Sequence, residues 1–455
     1  MGRLFGTDGI RGVANASPLT PEETCRLGRV AASYLAERVG PTRRRPTFLI
    51  GRDTRVSGPL LEQALVAGIL SAGVDALVVG VLPTPAVAFL TPALGAAGGA
   101  VLSASHNPFE DNGVKLFSGD GDKLPDAWED EIEARLSQDA VGARPIGGRI
   151  GRFRSVAGAE RRYLDGLRAS VPAGFDLTGL RLVLDCAHGA TYRVAPRLFR
   201  SLGAEVTALG VRPSGTNINR GVGALHPEAL QASVRARPGA IGLAFDGDGD
   251  RLIVVDEGGA VRDGDHILAI CGGALSARGA LKGGAVVSTV MANLGLERAL
   301  GALGIKMVRT AVGDRYVLEE MRRLGANLGG EQSGHVVFLD HARTGDGLLT
   351  ALQLLGVVRE AGRPLAELAA QVEKCPQILL NVPVRSRPPL GELRGMTEAL
   401  ARWEKKLDGH ARFVVRYSGT ESLARVMVEG DDHATIDTAA REIAAAIQHE
   451  IGATS

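Results

Sequence analysis

The run Asp246-Gly247-Asp248-Gly249-Asp250-Arg251 sets three carboxylates at alternate positions directly after the apolar segment Ile241–Phe245. On a straight strand, residues two apart stand about 6.6 Å from one another, too far for three acids to share one cation at roughly 2.0–2.1 Å. The two glycines lack a Cβ, so they let the backbone curl until the carboxylates converge. A set of hard oxygen ligands selects Mg²⁺ or Mn²⁺ over zinc. The spacing also imitates the start of a calcium loop, and Glu257 falls at its twelfth position. Arg251 stands where that loop needs glycine, and Leu252–Val255 reads as a strand, so an EF-hand is disfavoured. A solvated acidic turn is the plain alternative, but such a turn needs neither the preceding buried strand nor Arg251.

A second loop, Ser103-Ala104-Ser105-His106-Asn107-Pro108, offers the hydroxyl of Ser105 between two apolar strands. By itself this is an ordinary turn serine. No Gly-x-Ser-x-Gly elbow surrounds it, which argues against acyl transfer by a serine triad. Beside a magnesium-type site, a serine points to phosphoryl transfer, in which a cation offsets charge on the equatorial oxygens. Lys115 could return to the same cleft as proton carrier or charge clamp, although a lone lysine on an alternating strand is usually solvated. Near the C-terminus, Arg416-Tyr417-Ser418-Gly419-Thr420-Glu421, with Arg425 following, combines guanidinium, hydroxyl and glycine N–H groups suited to a dianionic phosphate. Taken alone it would read as an exposed hairpin turn. Neither common nucleotide fingerprint is present, so a bound nucleotide is not implied.

The elements that must position these loops repeat three times. Phe48–Ile50, Leu182–Leu184 and Ala285–Val287 each lead through a turn and a helix-length segment into a second strand: Ala76–Val79, Glu205–Leu209 and Lys306–Arg309. A third apolar strand then runs into a loop that carries chemistry. These are the serine loop, the acidic loop, and Gly330-Glu331-Gln332-Ser333-Gly334-His335. Ligands of open α/β sheets gather beyond the carboxyl ends of strands, so the three loops can face one cleft. The expected fold is three similar mixed-sheet α/β units around a central cleft, at residues 1–155, 156–256 and 257–372. A smaller C-terminal α+β domain at 373–455 follows, with strands at Asn381–Val384 and Phe413–Arg416 and a terminal helix at Thr435–Ile451.

Composition is compatible with this reading. The chain has 455 residues, 45% hydrophobic and 23% charged, which excludes a single small module and a disordered chain. With 52 basic against 51 acidic residues the net charge is +1, so no overall field marks a nucleic-acid or membrane-surface binder. Cys25, Cys186, Cys271 and Cys375 lie far apart without metal-ligand spacing, which fits a reducing cytoplasm. Met1–Asn15 has no apolar signal-peptide core. Ala76–His106 lacks charged side chains and could span a bilayer by length. Pro83, Pro85, Pro92 and a glycine run favour instead two buried strands with a turn-rich connection.

Taken in order, the motifs resemble those of the α-D-phosphohexomutases, and most of all their bacterial glucosamine-phosphate branch. The likeness runs nearly end to end, starting at Phe5-Gly6-Thr7-Asp8-Gly9-Ile10-Arg11-Gly12. It implies four domains around a cleft and interconversion of glucosamine 6-phosphate and glucosamine 1-phosphate through a phosphoserine and a 1,6-bisphosphate. Position by position, it implies that Ser105 carries the phosphoryl group, and that Asp246, Asp248 and Asp250 hold one Mg²⁺ with a phosphoserine oxygen. Arg11, Lys115, Arg251 and His335 would serve the reacting end. Thr310, Gly313, Asp314, Glu331 and Ser333 would face the sugar, and Arg416, Ser418, Gly419, Thr420 and Arg425 would hold the phosphate that is not reacting. Tyr417 and Ser422 stand where the family commonly has proline. The resemblance further implies glucosamine or glucose 1,6-bisphosphate as activator, amino-sugar metabolism leading to UDP-N-acetylglucosamine and peptidoglycan precursors, a homodimer, and a hinge near residues 370–390. The amino-sugar preference leans on Phe5–Gly12 and on Gln332. A phosphomannomutase or phosphoglucomutase is the neighbouring alternative. A non-catalytic phosphosugar-binding protein is the alternative from another class, and it would not need a nucleophile beside a cation.

Overall fold

Six strands form the first sheet of the structure, a computed structural model that describes residues 3–6, 8–40, 44–138, 144–418 and 422–453. They are β1 (Ile10–Val13), β2 (Thr47–Arg52), β3 (Asp75–Val81), β4 (Gly98–Leu102), β5 (Asp111–Ser118) and β6 (Phe153–Ser155), in the order β1-β5-β4-β2-β3-β6. β2 pairs parallel with both β3 and β4, whereas β5 runs antiparallel to β4 and β1. Every residue of β4 is buried, as expected of a strand covered on both faces.

The second sheet repeats the plan. β7 (Arg181–Asp185) lies between parallel β8 (Glu205–Leu209) and β9 (Ala240–Phe245), and β10 (Leu252–Val255) returns antiparallel to β9, with β11 (Val261–Arg262) at the edge. In the third, β12 (Ala285–Thr289) lies between β13 (Lys306–Thr310) and parallel β14 (Leu328–Gly330), and β15 (Val336–Phe338) returns antiparallel to β14. The three loops with chemistry therefore occupy one topological position, the turn from the third strand of a repeat into its antiparallel return. A period-2 and period-3.6 reading recovers this because buried parallel strands leave uninterrupted apolar runs.

One expectation needs correction. The connection inside Ala76–His106 is a ten-residue helix, Thr84–Ala93, not a turn-rich segment. Pro85 sits at its first positions, where a missing N–H costs nothing. No helix among the described residues is long and apolar enough to cross a membrane. The chain divides into one compact unit of residues 1–289 and 307–370 and a second of residues 290–306 and 371–455. Hydrogen bonds account for the assignment of 290–306: Asn293 Nδ2 donates to Cys375 O at 3.0 Å, and the Arg412 guanidinium donates to Val290 O and Ala292 O at 2.5 and 2.8 Å. Within the second unit, β16 (Gln377–Pro383), β17 (Ala411–Tyr417) and β18 (Leu423–Gly430) form an antiparallel sheet ordered β16-β18-β17. Its core includes buried residues of the helices Arg394–Lys406 and His433–Ile451.

Candidate active site

Ser105 follows β4 in a turn that puts its own backbone at φ 52°, in the left-handed region. That conformation costs a non-glycine residue on the order of 1–3 kcal/mol and persists only where the surroundings enforce it. The side chain is 1% exposed. Its Oγ donates to Asp246 Oδ2 at 2.6 Å and lies 3.3 Å from His106 Nδ1. Burial, with the charges of Arg251 and Arg11, pushes the His106 imidazole down to about 4, so it stands neutral beside the hydroxyl.

The acidic loop meets the serine loop at close range. Asp246, Asp248 and Asp250 are buried, and each offers an oxygen within 4.8 Å of the others. Gly249 has φ 74°, and a Cβ there would lie 2.5 Å from Thr191 Cγ2. Asp248 accepts from Thr84 Oγ1 at 2.7 Å and from Lys115 Nζ at 2.9 Å. Its other oxygen, Oδ1, and Asp250 Oδ1 are buried without a hydrogen-bond partner. Burial and then the charges of Asp250 and Asp248 push the Asp246 carboxyl well above the ordinary aspartate range. Three convergent acids with unpartnered inner oxygens fit a divalent cation held by hard ligands. Glu257 takes no part: both its oxygens cap the helix Leu365–Ala369, accepting from Leu365 N and Ala366 N.

Basic groups surround the acids. Lys115 Nζ lies 2.9 Å from Asp8, 2.9 Å from Asp248 and 3.4 Å from Asp250. Burial opposes its charge, but Asp248, Asp8 and Asp250 outweigh burial and hold the ammonium well above its ordinary range. Arg11 pairs with Asp8 and reaches Asn107 Oδ1 at 3.4 Å. Arg251 Nε is 3.9 Å from Asp250 Oδ1. His335 Nδ1 lies 3.7 Å from Asp250 and its Nε2 3.5 Å from Asp314, while Nε2 accepts from Gly345 N at 3.1 Å. Burial works against the imidazolium, but the bond to Asp250 and the charges of Asp250 and Asp314 raise its pKa. Lys123 bridges Asp8 and Asp314 at 2.6 and 2.5 Å.

In the third loop, Glu331 Oε1 accepts from Gly313 N at 3.1 Å and Oε2 accepts from Ser333 Oγ at 3.3 Å, so these three expected residues meet. Thr310 instead bonds the carbonyls of Ser288 and Ala311. The Gln332 amide donates to Asp265 Oδ2 at 3.2 Å, a structural engagement for the residue on which the amino-sugar preference partly leaned. In the second unit, Arg416 and Arg425 are direct cross-strand partners on β17 and β18. Like charges set opposite each other are unfavourable without an anion between them. Ser418 is buried and its N–H bonds Leu423 O at 2.8 Å; Gly419 and Thr420 lie outside the described residues. Tyr417, at one of the two positions where proline is common, donates to Pro388 O at 2.8 Å and so anchors the strand end by another means. Sequence reasoning gave no role to Asp53, Arg55, Thr84, Lys123 or Asn219, all of which bond the loops or residues of this site. The one available signal was the repeat itself: Asp53 and Asp185 follow or end equivalent strands, and each accepts the N–H two residues on.

Descriptions of the phosphoglucomutase/phosphomannomutase family match in four pieces: alpha/beta/alpha domain I at residues 2–141, domain II at 161–259, domain III at 263–375 and the C-terminal domain at 379–446. The chain is 50% identical over 451 residues to a phosphoglucosamine mutase of Syntrophotalea carbinolica, covering 99% of this chain and 98% of that protein. It is 52% identical over 446 residues to a phosphoglucosamine mutase of Myxococcus xanthus, with 98% and 96% covered. Among solved structures, a phosphoglucomutase/phosphomannomutase family protein of Burkholderia thailandensis superposes with a TM-score of 0.81 at 26% identity, covering 98% of this chain and 97% of that one. An N-acetylphosphoglucosamine mutase of Aspergillus fumigatus, in complex with GlcNAc-6P and magnesium, shares the fold with a TM-score of 0.70 at 19% identity, covering 98% and 95%.

Proposed function

This chain belongs to the α-D-phosphohexomutase family, and from that membership we propose that it interconverts glucosamine 6-phosphate and glucosamine 1-phosphate. The reading makes it an isomerase working through a phosphoserine at position 105. The observation that carries it is the 2.6 Å bond from Ser105 Oγ to Asp246, which joins the nucleophile of one repeat to the carboxylate cluster of the next.

In the forward reaction O1 of glucosamine 6-phosphate bonds to the phosphorus as the bond from phosphorus to Ser105 Oγ breaks. Lys115, held protonated by Asp8, Asp248 and Asp250, gives a proton to the leaving Oγ and is recharged from the O1 hydroxyl. Arg11 and Arg251 place further positive charge at the transferring group, with His335 beside them. Asp246, Asp248 and Asp250, with a phosphoserine oxygen, would hold Mg²⁺, which when bound would neutralise charge on the phosphoryl oxygens. The resulting 1,6-bisphosphate turns end for end and returns its 6-phosphate to Ser105. Glu331, Ser333, Gly313, Asp314 and Thr310 orient the sugar. Arg416, Ser418 and Arg425, with Gly419 and Thr420, hold whichever phosphate is not reacting. Burial of Ser105 protects the phosphoserine from water. Four free cysteines fit a reducing, cytoplasmic setting.

The test is a coupled assay of one preparation with glucosamine, glucose and mannose phosphates, alongside Ser105→Ala. Turnover should be highest with glucosamine phosphate and absent in the variant. Undiminished turnover in Ser105→Ala rejects the phosphoserine, and a higher rate with mannose or glucose phosphate rejects the substrate.

A further inference from the structure

We infer that Arg55 and Asn219 are positioning residues whose task is to lock the serine loop in the left-handed turn that aims Ser105 Oγ at the acidic loop. The inference rests on the phosphoserine reading above. It starts from two backbone outliers in contact: Ser105 at φ 52° and Asn219 at φ 60°. Asparagine tolerates that region, but serine visits it seldom, so the turn at Ser105 has to be held from outside.

Arg55 does most of the holding. It is 0% exposed, and its Nε bonds Asp53 Oδ2 at 2.8 Å. Its other two nitrogens go to carbonyls of a single loop: Nη2 to Ser105 O and Asn107 O at 2.9 Å each, and Nη1 to Asp111 O at 3.0 Å and to Pro108 O. Asp53 completes the grip from the other side, since it accepts from Ser103 Oγ at 2.6 Å, and Ser103 Oγ in turn accepts from Ser105 N at 2.9 Å. The peptide groups on both flanks of Ser105 are thereby fixed. Asn219 comes from the second repeat, and its Nδ2 donates to the same two carbonyls, Ser105 O at 2.9 Å and Asn107 O at 3.0 Å. Gly247 of the acidic loop lies against this knot, where a Cβ would stand 2.9 Å from Asn219 Nδ2. One set of bonds therefore sets the register of nucleophile and carboxylates together.

A buried arginine paired with an aspartate could be structural only. That role would be served by any acceptors, whereas here four of the guanidinium's five side-chain hydrogen bonds end on the loop from Ser105 to Asp111. Lysine, a point charge without a fork, cannot reproduce them. Displacing a reacting group by about 1 Å costs on the order of 100-fold in rate.

The experiment compares Asn219→Ala, Asn219→Asp and Arg55→Lys with wild type in the full-length protein. It reads kcat, KM, melting temperature, single-turnover transfer from the phosphoenzyme, and the phosphorus NMR signal of the phosphoserine. Asn219→Ala should lower kcat and the single-turnover rate alike by about 10- to 100-fold with KM within about twofold, and should shift or broaden the phosphorus signal. Asn219→Asp keeps the shape and the tolerance of positive φ but loses the donor, so it should fall equally far. Arg55→Lys should lose more, measured where melting shows it folded. Wild-type kcat in either Asn219 variant, or losses that merely track the folded fraction, would overturn the inference. The control Ser105→Ala keeps the two readings apart: if it stays active, the phosphoserine is wrong, and if it is dead while the Asn219 variants are normal, only the clamp is wrong.

Discussion

Neutralising Asp246 should make the metal-free protein at least as stable as wild type while abolishing its response to divalent cations. The three carboxylates hold oxygens within 4.8 Å of one another. Two unit charges at that distance repel by about 3.5 kcal/mol at an effective dielectric constant of about 20. Wild type feels this repulsion least with Asp246 protonated, and burial first and then Asp250 and Asp248 raise that carboxyl well above the ordinary aspartate range. Asp246→Asn mimics that protonated form and still offers an oxygen to Ser105 Oγ. The variant should therefore match wild type in EDTA at low pH and gain on it as pH rises and wild type is forced to charge. With Mg²⁺ the order reverses. A site filled at 100 times its Kd stabilises the folded state by about 2.7 kcal/mol, which for a unit of this size is a rise in Tm of roughly 3–4 °C. Only wild type should show it. Thermal melts with EDTA and with MgCl₂, at several pH values, provide the check. A variant that melts well below wild type in EDTA, or that keeps the full Mg²⁺ shift, would refute the claim that these acids converge to hold a cation.

Asp346 gives a separate pH prediction. It caps the helix Gly347–Ala361 through Leu348 N and Leu349 N and accepts from Tyr163 Oη at 2.8 Å. Burial raises it from 3.8 to about 6, against the pull of those bonds and with a contribution from Asp250. The folded state keeps its proton longer than the unfolded chain, so stability falls as pH climbs from about 4 to about 6, by about 3 kcal/mol in all. Urea titrations should show Asp346→Asn, which still caps the helix, losing less over that interval; parallel curves would contradict this. Arg416→Ala should leave the second unit as stable as before or slightly more so, since it removes a like-charge neighbour of Arg425. It should also raise the KM for phosphosugar about 10- to 100-fold with kcat little changed, as expected when a charged hydrogen bond made equally in ground and transition states is lost. A destabilised protein with an ordinary KM would assign Arg416 to the hairpin alone.

The parts of this site that were legible in the sequence share a cause. Ser105, Asp246 to Asp250 and Glu331 to His335 each follow a strand buried on both faces, so each is announced by an uninterrupted apolar run ending in glycine or polar residues. The threefold recurrence of that pattern placed the loops at equivalent positions without any coordinate. Arg55 and Asn219 carry no such announcement. They act on backbone carbonyls 50 and 114 residues away from them, and a carbonyl has no signature in the sequence. Gln332, which supported the amino-sugar preference by family association alone, has its amide bonded to Asp265. The helix Thr84–Ala93 was hidden by its prolines: Pro85 sits in the first turn, where it strengthens a helix start, and Pro92 lies next to the last residue, where little helix remains to break.

The charge inventory at the reacting end ties cation and phosphoryl group to one another. Asp8, Asp248, Asp250 and Asp314 face Lys115, Lys123 and Arg251 through contacts at 2.5 to 3.9 Å, with Arg11 paired to Asp8, Asp246 bonded to Arg251 N, and His335 between Asp250 and Asp314. In the unphosphorylated form five carboxylates face four cations, and the set is already short of positive charge. A phosphoserine adds roughly −1.5 to −2 charges at neutral pH where Ser105 Oγ now donates to Asp246, and that donor is lost in the same step. The balance can then be restored only by positive charge at that spot, and the unpartnered oxygens of Asp248 and Asp250 mark where a divalent ion meets the least competition from existing bonds. On the phosphoserine reading proposed above, cation and phosphoryl group would bind in mutual support, because the protein's own bases are already committed to the carboxylates.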